Sequence, residues 1–335
     1  MWNKKRNKKE TKHRNIEKRK EIAMRVVFMG TPDFAVPTLQ TLIDNHDVVA
    51  VVTQPDKRKG RGKAMQFTPV KEKALEYDIP VYQPVKVRND EEFLHTLEQL
   101  KPDIIVVAAF GQILPEMILQ LPKYGCINVH ASLLPKYRGA GPIQWAVING
   151  EKESGITIMY MEKGLDTGDM IEKVVVPLDE KETGESLHDK LSVAGNDILL
   201  KAMKEIEDGT AKPEKQDDSL STYAPMFDKA MGEMNWAKDA VSLERLIRGL
   251  YPWPSAYTHL GNKTCKVFAA DIVEKQTDCA PGTVVEVTKD SIIVQTGTSC
   301  LSLKEIQLEG KKRMEVKAFL LGYEVKEGMV LQKES

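Results

Sequence analysis

The chain has 335 residues, which is long for one domain and comfortable for two. Hydrophobic residues make up 41% and charged residues 29%, a balance typical of globular proteins with sizeable cores. No apolar run approaches the length of a membrane-spanning helix. The four cysteines are scattered and form no C-x-x-C pair, which argues against zinc and disulfide frameworks and indicates a reducing, cytoplasmic compartment.

The net charge of −1 conceals a basic N-terminal segment. Residues 1–23 contain ten Lys or Arg against three Glu, a local charge of +7, so the chain from Met24 onward sums to −8. Any contact with nucleic acid therefore depends on local clusters of cations. The segment has neither the apolar core of a signal peptide nor the serines of a transit peptide. It is either a disordered basic arm that touches RNA or an extension without a role.

Strand and helix patterns alternate from Arg25 to about Asp208. Residues 25–29 are an apolar run followed by Gly-Thr-Pro, which predicts a strand, a turn and a helix capped by Thr31. Strands that are apolar on both faces and separated by helices indicate a parallel, Rossmann-like sheet in an α/β domain over 24–208. The remaining strands are predicted at 47–53, 103–109, 126–130, 155–161 and 170–177.

Helix signals lie between these strands. Thr68, which precedes a proline, and Asp90, which precedes an apolar face, are the predicted caps of two helices. Farther along, apolar residues at helical spacing predict one continuous helix from about 185 to 206.

The pattern changes after residue 208. Residues 209–232 are polar and contain two prolines, which predicts a linker. Five strand-like segments between 256 and 308 then predict an OB-like β-barrel domain over 233–330. OB barrels bind oligonucleotides in other proteins, but a fold alone does not establish RNA binding.

Motifs of other enzyme classes are incomplete. Residues 60–63, Gly-Arg-Gly-Lys, lack the hydroxyl residue of a phosphate loop and the third glycine of a dinucleotide fingerprint. The Asp-Thr-Gly at 166–168 occurs once, whereas an aspartic protease needs two carboxylates that share a proton. Hydride transfer, phosphate hydrolysis and proteolysis are therefore disfavoured.

Two polar clusters carry the functional hypothesis. Asn128 and His130 are two residues apart in a predicted strand, so their side chains project from the same face. They lie at the carboxyl end of that strand, where ligands of open α/β sheets bind. Asp166, in the polar cluster after the next strand, is placed to join them. Strand-end histidines are more often satisfied structural groups than functional ones, and the residues alone leave both interpretations open.

Residues 128–135, Asn-x-His-x-Ser-Leu-Leu-Pro, together with the Leu-Asp-Thr-Gly-Asp at 165–169, resemble the signature of the folate-dependent formyltransferases. The resemblance implies 10-formyltetrahydrofolate as co-substrate and no metal ion. It also implies catalytic roles for Asn128, His130 and Asp166 and a folate-binding turn formed by Ser132, Leu133, Leu134 and Pro135.

Four further motifs resemble the members of that family that formylate initiator methionyl-tRNA. They lie at 30–34, 53–63, 138–140 and 252–254, within a likeness that runs from Met24 to about residue 330. The implied partner is initiator methionyl-tRNA, with no membrane and no obligate protein partner. Residues 227–235 match the family pattern loosely, which leaves the domain boundary open.

A basic loop follows the second strand and carries five cations in the seven residues 57–63. Basic runs are usually solvated surface, but this loop lies near the ligand-binding edge, and its glycines let it close over a substrate. The family likeness implies that Arg61 contacts the substrate, and Lys57 and Lys63 are further candidates for contacts with tRNA.

The implied reaction is the attack of an amine on a formyl carbon. Asn128 and a protonated His130 would hold the developing oxyanion, while Asp166 orients His130 and moves protons through water. One alternative is a formyltransferase for a small amine such as glycinamide ribonucleotide or an amino sugar, which gives neither the basic loop nor the second domain a role. The other is a non-catalytic RNA-binding module, which makes the three polar residues accidental.

Overall fold

The computed structural model describes residues 23–59, 64–275 and 277–332. These residues form two compact units that each draw on several stretches of the chain. Unit 1 contains the residues up to Ala140, Gly155–Val176 and Asp189–Tyr223, and unit 2 contains Gly141–Ser154, Pro177–His188 and the residues from Ala224 onward.

Unit 1 is built on a seven-stranded sheet and a separate two-stranded hairpin. The strands are β1 (Arg25–Gly30), β2 (Asp47–Val52), β3 (Lys57–Lys59), β4 (Ala64–Gln66), β5 (Val81–Tyr82), β6 (Ile104–Ala108), β7 (Cys126–His130), β8 (Glu153–Tyr160) and β9 (Met170–Pro177). The sheet order is β5-β2-β1-β6-β7-β8-β9, and β3 pairs with β4. β1 is parallel to β2 and β6, and β6 is parallel to β7, whereas β8 is antiparallel to β7.

The predicted Rossmann-like sheet is confirmed, and burial explains it. All five residues of β6 are buried, as are the last five of β1. Strands covered on both faces by helices require apolar side chains at every position, which is the pattern in the sequence. Gly30 is the last residue of β1, and a side chain does not fit there because its Cβ would lie 2.9 Å from the carbonyl oxygen of Ala108.

The helices cover the sheet or pack within unit 2. They are α1 (Val36–Asn45), α2 (Pro69–Leu75), α3 (Glu91–Leu100), α4 (Glu116–Leu119), α5 (Pro142–Ile148), α6 (Gly184–Ala194), α7 (Asn196–Glu207), α8 (Ala240–Gly249) and α9 (Val316–Leu320). Thr68 accepts a hydrogen bond from the Lys71 amide at 3.2 Å, and Asp90 accepts one from the Phe93 amide at 2.9 Å, which confirms both caps. In the described part of the chain, no helix combines the length and apolar character that a membrane crossing needs.

Two helix predictions are wrong. Thr31 caps no helix, because its hydroxyl donates to the carbonyl oxygen of Phe110 and accepts from the Gln54 amide. The continuous helix over 185–206 is interrupted at Gly195, where α6 ends and α7 begins. A Cβ at Gly195 would lie 2.9 Å from Ile156, so the chain approaches the sheet more closely there than a side chain allows.

Unit 2 contains an antiparallel sheet. Its strands are β10 (Ala256–Leu260), β11 (Lys263–Val273), β12 (Val284–Val287), β13 (Ile292–Gln295), β14 (Cys300–Leu308) and β15 (Met314–Glu315). The order is β10-β11-β14-β13-β12, with β15 beside β14. Trp236 is 1% exposed in the core of this unit and donates to Thr258 and to the Leu331 carbonyl, both at 2.9 Å. The antiparallel C-terminal sheet is confirmed, and its closure into an OB barrel stays a prediction.

The segment 209–232 is divided between the units, with 209–223 in unit 1. The backbone N–H and C=O groups of Glu214 pair with those of Met170, both at 2.8 Å. The Arg138 amide donates to the Thr222 carbonyl at 2.9 Å. Residues 209–223 therefore form hydrogen bonds with the rest of unit 1, although their polar composition predicts a linker.

Candidate active site

β7 carries Asn128 and His130, the two candidate residues that the sequence pattern of this strand indicates. Ile127 and Val129 are 0% and 4% exposed and pack into the sheet. Asn128 and His130 alternate with them and project to the other face, as the period of two requires. His130 is buried at 5% exposure, whereas Asn128 is half-buried. The strand therefore holds a carboxamide and an imidazole side by side on a rigid element.

Asp166 joins these side chains from the loop between β8 and β9. Its Oδ1 lies 3.4 Å from Asn128 Nδ2, and its Oδ2 lies 3.7 Å from His130 Nδ1. The backbone N–H of Gly139 donates to Oδ2 at 2.8 Å. Carboxamide, imidazole and carboxylate thus converge in one place, as the sequence predicts.

The imidazole of His130 lies between two acceptors. Its Nε2 is 3.0 Å from the carbonyl oxygen of Tyr137, and since a carbonyl only accepts, Nε2 carries the hydrogen. At 3.7 Å, the contact between Nδ1 and Asp166 is an ion-pair distance rather than a hydrogen bond. The ring is therefore held by a hydrogen bond at Nε2, and its Nδ1 edge lies beside the Asp166 carboxylate.

The turn at 132–135 is held by its own hydrogen bonds. The Ser132 hydroxyl donates to the carbonyl oxygen of Lys136 at 2.7 Å and is buried. The Thr157 hydroxyl donates to the Ser132 carbonyl at 2.7 Å and accepts from the Leu134 amide at 3.2 Å. Ser132 and buried Leu134 therefore shape the turn, while half-buried Leu133 and Pro135 retain exposed surface. A role of this turn in folate binding stays a prediction.

A cysteine lies two residues before Asn128 on the same strand. Cys126 is 2% exposed, and burial raises the pKa of its thiol to about 12. A thiol with such a pKa supplies almost no thiolate nucleophile at neutral pH. Among the described residues, no three His, Cys, Asp or Glu side chains form a group that could hold a metal ion. Cys126 is therefore a buried packing residue and not a candidate nucleophile.

The basic loop is described only in part. Lys57 is exposed, whereas Arg61 and Lys63 lie outside the described residues, so their predicted contacts stay predictions. Asp56, at the start of the loop, accepts from Lys71 and from Gln83 at 2.9 Å. Burial acts to raise the pKa of the Asp56 carboxyl, but these hydrogen bonds outweigh it and lower the pKa below its ordinary value. The base of the loop is therefore anchored by a charged carboxylate.

The chain matches one protein family along most of its length. A profile described as "Formyl transferase" matches residues 24–203, and one described as "Formyl transferase, C-terminal domain" matches residues 226–324. The methionyl-tRNA formyltransferase of Agathobacter rectalis is 56% identical over 306 residues, which cover 91% of this chain and 98% of that protein. The chain belongs to the methionyl-tRNA formyltransferase family.

Another relative supports this membership. The methionyl-tRNA formyltransferase of Caldanaerobacter subterraneus subsp. tengcongensis is 51% identical over 310 residues, or 92% of this chain and 100% of that protein. Identity at this level extends the resemblance seen in the short motifs to 91–92% of the chain.

Solved structures share the fold at lower identity. An N-formyltransferase from Helicobacter canadensis, in complex with folinic acid and dTDP-3-aminofucose, has a TM-score of 0.63 and 20% identity, and the match covers 84% of this chain and 99% of that one. HypX from Aquifex aeolicus in complex with tetrahydrofolic acid has a TM-score of 0.58 and 17% identity over 89% of this chain. This chain spans about half the length of HypX, of which 47% is covered. At such identities the likeness concerns the fold alone.

Sequence reasoning missed several groups that hold the triad. The carbonyl of Tyr137 contacts His130, the amide of Gly139 contacts Asp166, and the side chain of Gln216 donates to the Asp166 carbonyl. The Tyr137 carbonyl and the Gly139 amide are backbone groups, which residue type does not reveal. Gln216 is 50 positions from Asp166 and lies within the predicted linker, so no local pattern connects the two.

Proposed function

We propose that the chain transfers the formyl group of 10-formyltetrahydrofolate to the α-amino group of initiator methionyl-tRNA. The convergence of Asn128, His130 and Asp166 is the observation that carries the proposal. These side chains supply hydrogen-bond donors for an oxygen that gains negative charge and an acceptor for a proton, which are the two requirements of acyl transfer to an amine. The product would serve translation initiation, and we propose a cytoplasmic location.

Asn128 would stabilise the oxygen on which charge develops. An amide nitrogen carries two hydrogens, so Nδ2 can direct one to Asp166 and the other to the formyl oxygen. Its place on β7 limits its motion, and a preorganised donor costs no reorganisation when the charge forms. Stabilisation that grows in the transition state raises turnover, whereas equal binding of substrate and transition state does not.

His130 would stabilise the developing negative charge, and Asp166 would orient His130 and transfer protons. The Tyr137 carbonyl engages the Nε2 edge of His130, so the Nδ1 edge beside Asp166 is the one that faces the reacting groups. The Asp166 side chain retains 14% exposure, which leaves its carboxylate within reach of a substrate amine or a bridging water. A free α-amino group has a pKa of about 7.7–8.0, so a strong base is unnecessary at neutral pH.

The side chains of the triad fit the proposed co-substrate. 10-Formyltetrahydrofolate supplies the activated formyl group when bound. Two N–H donors complement its carbonyl oxygen, and one carboxylate complements the incoming amine. The turn at 132–135, which begins two residues after His130, would hold the co-substrate through the exposed surface of Leu133 and Pro135.

The identity of the acceptor is supported by the relatives. Proteins that are 51–56% identical along almost their full length are methionyl-tRNA formyltransferases. The N-formyltransferase whose complex contains dTDP-3-aminofucose is 20% identical, so a small-amine substrate gains no comparable support. The five cations of the basic loop 57–63 also match the extended phosphate backbone of a tRNA better than the one or two phosphates of a small substrate.

A competition among acceptors tests the proposal. The purified full chain receives 10-formyltetrahydrofolate labelled in the formyl group, together with initiator methionyl-tRNA, glycinamide ribonucleotide or a nucleotide-linked amino sugar. Label is expected on methionyl-tRNA alone and absent from uncharged initiator tRNA, which lacks the amine. Transfer to a small amine with none to methionyl-tRNA would refute the proposal. Elongator methionyl-tRNA in a parallel reaction measures the preference for the initiator.

Replacing Arg61 with alanine is expected to weaken the reaction with methionyl-tRNA by about 10- to 100-fold, the usual value of a charge-assisted contact. Folate binding should change little, because the loop is proposed to contact tRNA rather than folate. The measurements are kcat/KM for methionyl-tRNA and the Kd for 5-formyltetrahydrofolate by fluorescence quenching. Lys86→Ala, an exposed lysine outside this loop, is the comparison variant and should keep both values. Equal losses in transfer and folate binding would remove Arg61 from the tRNA contact.

A further inference from the structure

We infer that Gln216 is a positioning residue for Asp166, and that the segment 214–222 is a strap that holds the active site in register. This inference rests on the proposed function. Gln216 is 5% exposed and lies on a stretch of irregular backbone, where a buried carboxamide must find all its partners nearby. Those partners belong to the two loops that together place the Asp166 carboxylate.

Gln216 uses its full hydrogen-bonding capacity. Its Nε2 donates to the carbonyl oxygens of Asp166 and Gly168, both at 2.8 Å. Its Oε1 accepts from Arg138 Nε at 3.0 Å and from Arg138 Nη2 at 2.8 Å. A carboxamide has two donor hydrogens and two acceptor lone pairs, so all four are satisfied. One side chain therefore ties the 138 loop to the 166 loop.

The Asp166 backbone requires such support. Its φ of 51° lies in the left-handed region, which costs free energy for a residue with a side chain and persists when surrounding contacts enforce it. Gln216 holds the main chain at Asp166 and Gly168, on both sides of Thr167. The conformation in turn aims the carboxylate at Asn128 and His130.

The second loop fixes the same carboxylate from its other side. The Gly139 amide donates to Asp166 Oδ2 at 2.8 Å, and Gly139 follows Arg138 directly. Because Arg138 is held by Gln216, the loop that donates to the carboxylate and the loop that carries it share one anchor. Loss of that anchor would free both loops at once.

The strap also contacts the loop that holds His130. The Thr222 hydroxyl accepts from the Tyr137 amide at 2.8 Å, and the Thr222 carbonyl accepts from the Arg138 amide at 2.9 Å. Tyr137 has a φ of 61° and presents its carbonyl to His130 Nε2. Through Thr222, the strap therefore contacts Tyr137, which binds His130, and Arg138, which precedes the Gly139 amide that binds Asp166. The pairing of Glu214 with Met170 anchors the start of the strap.

Kinetics of Gln216 variants test the inference. We expect Gln216→Ala to lower kcat for methionyl-tRNA by about 10- to 100-fold, since small misplacements of catalytic groups have effects of this size. KM should change less than twofold, and the pH profile of kcat should change shape. Gln216→Glu keeps an acceptor for Arg138 but turns a carboxylate oxygen toward two carbonyls, so it should lose as much. Gln120→Ala, which removes an exposed carboxamide outside the strap that donates to Glu116, is the control and should retain the wild-type profile.

A double-mutant comparison separates positioning from a general loss of structure. If Gln216 acts through Asp166, Gln216→Ala should cost less than twofold in an Asp166→Asn background. An equal loss in both backgrounds, or wild-type kcat in Gln216→Ala and Gln216→Glu, would overturn the inference. Should Gln216→Ala unfold, Gln216→Glu and Thr222→Val are compared in the same backgrounds by the same criteria. A wild-type chain that formylates no acceptor would refute the proposed function itself, whereas active wild type without coupling refutes only the role of Gln216.

Discussion

Asn128→Ala is expected to lower turnover with methionyl-tRNA by about 10²–10³, the usual cost of removing one oxyanion donor. The substitution removes the Nδ2 nitrogen of half-buried Asn128. One hydrogen of this nitrogen faces Asp166, and the second is available to the formyl oxygen. Binding of methionyl-tRNA should change little, because the donor gains its importance as charge develops. Single-turnover kinetics with saturating co-substrate measures the chemical step directly.

Two further variants sharpen this result. Asn128→Asp preserves the shape of the side chain, replaces the donor with an oxygen and adds a charge beside Asp166, so it should lose at least as much activity as alanine. Asn45→Ala, at the end of α1, removes an exposed carboxamide that donates to the Thr41 carbonyl and should leave turnover unchanged. Thermal unfolding of each variant controls for the fold. Wild-type turnover in a folded Asn128→Ala chain would remove Asn128 from the mechanism.

Asp166→Asn is expected to lower kcat by about 10²–10⁴, the range associated with a lost general acid–base group. Asparagine has the same shape, so one oxygen can still accept from the Gly139 amide. Its amino group would then face Asn128 Nδ2, donor against donor, and the negative charge beside His130 would be gone.

The pH dependence of kcat is the measurement that distinguishes this loss from a local distortion. A carboxylate that takes part in proton transfer contributes to the pH profile of kcat, whereas a carboxylate that only shapes the site does not. In Asp166→Asn we expect that contribution to disappear while the chain stays folded. Glu162→Gln, an exposed carboxylate four residues earlier in the same loop, should keep the wild-type profile. Identical profiles for wild type and Asp166→Asn would assign Asp166 a structural role only.

The strap changes how the segment 209–232 is understood. A polar, proline-containing stretch predicts a flexible connection because such residues bury little apolar surface. In the structure, residues 209–223 belong to unit 1, and the buried carboxamide of Gln216 donates to the backbone of the loop that carries Asp166. Composition reports how much apolar surface a segment offers, but it does not report where its hydrogen bonds go.

The sequence by itself determined the elements with a strong period. Continuous apolar runs predict the buried strands β1 and β6, because a strand covered on both faces cannot expose a polar side chain to its neighbours. The period of two places Asn128 and His130 on one face of β7. The interruption at Gly195 escapes the same reasoning, since α6 and α7 continue one apolar pattern across the break.

Only the tertiary structure decided how Asp166 reaches the other two residues. β8 runs antiparallel to β7 and ends with Tyr160 opposite Ile127, so the chain leaves near the start of β7 and must return to reach His130. That return depends on a left-handed backbone at Asp166 and on hydrogen bonds from Gly139 and Gln216. Contacts between groups that are 27 and 50 positions apart arise from backbone geometry, which no local pattern of residue types encodes.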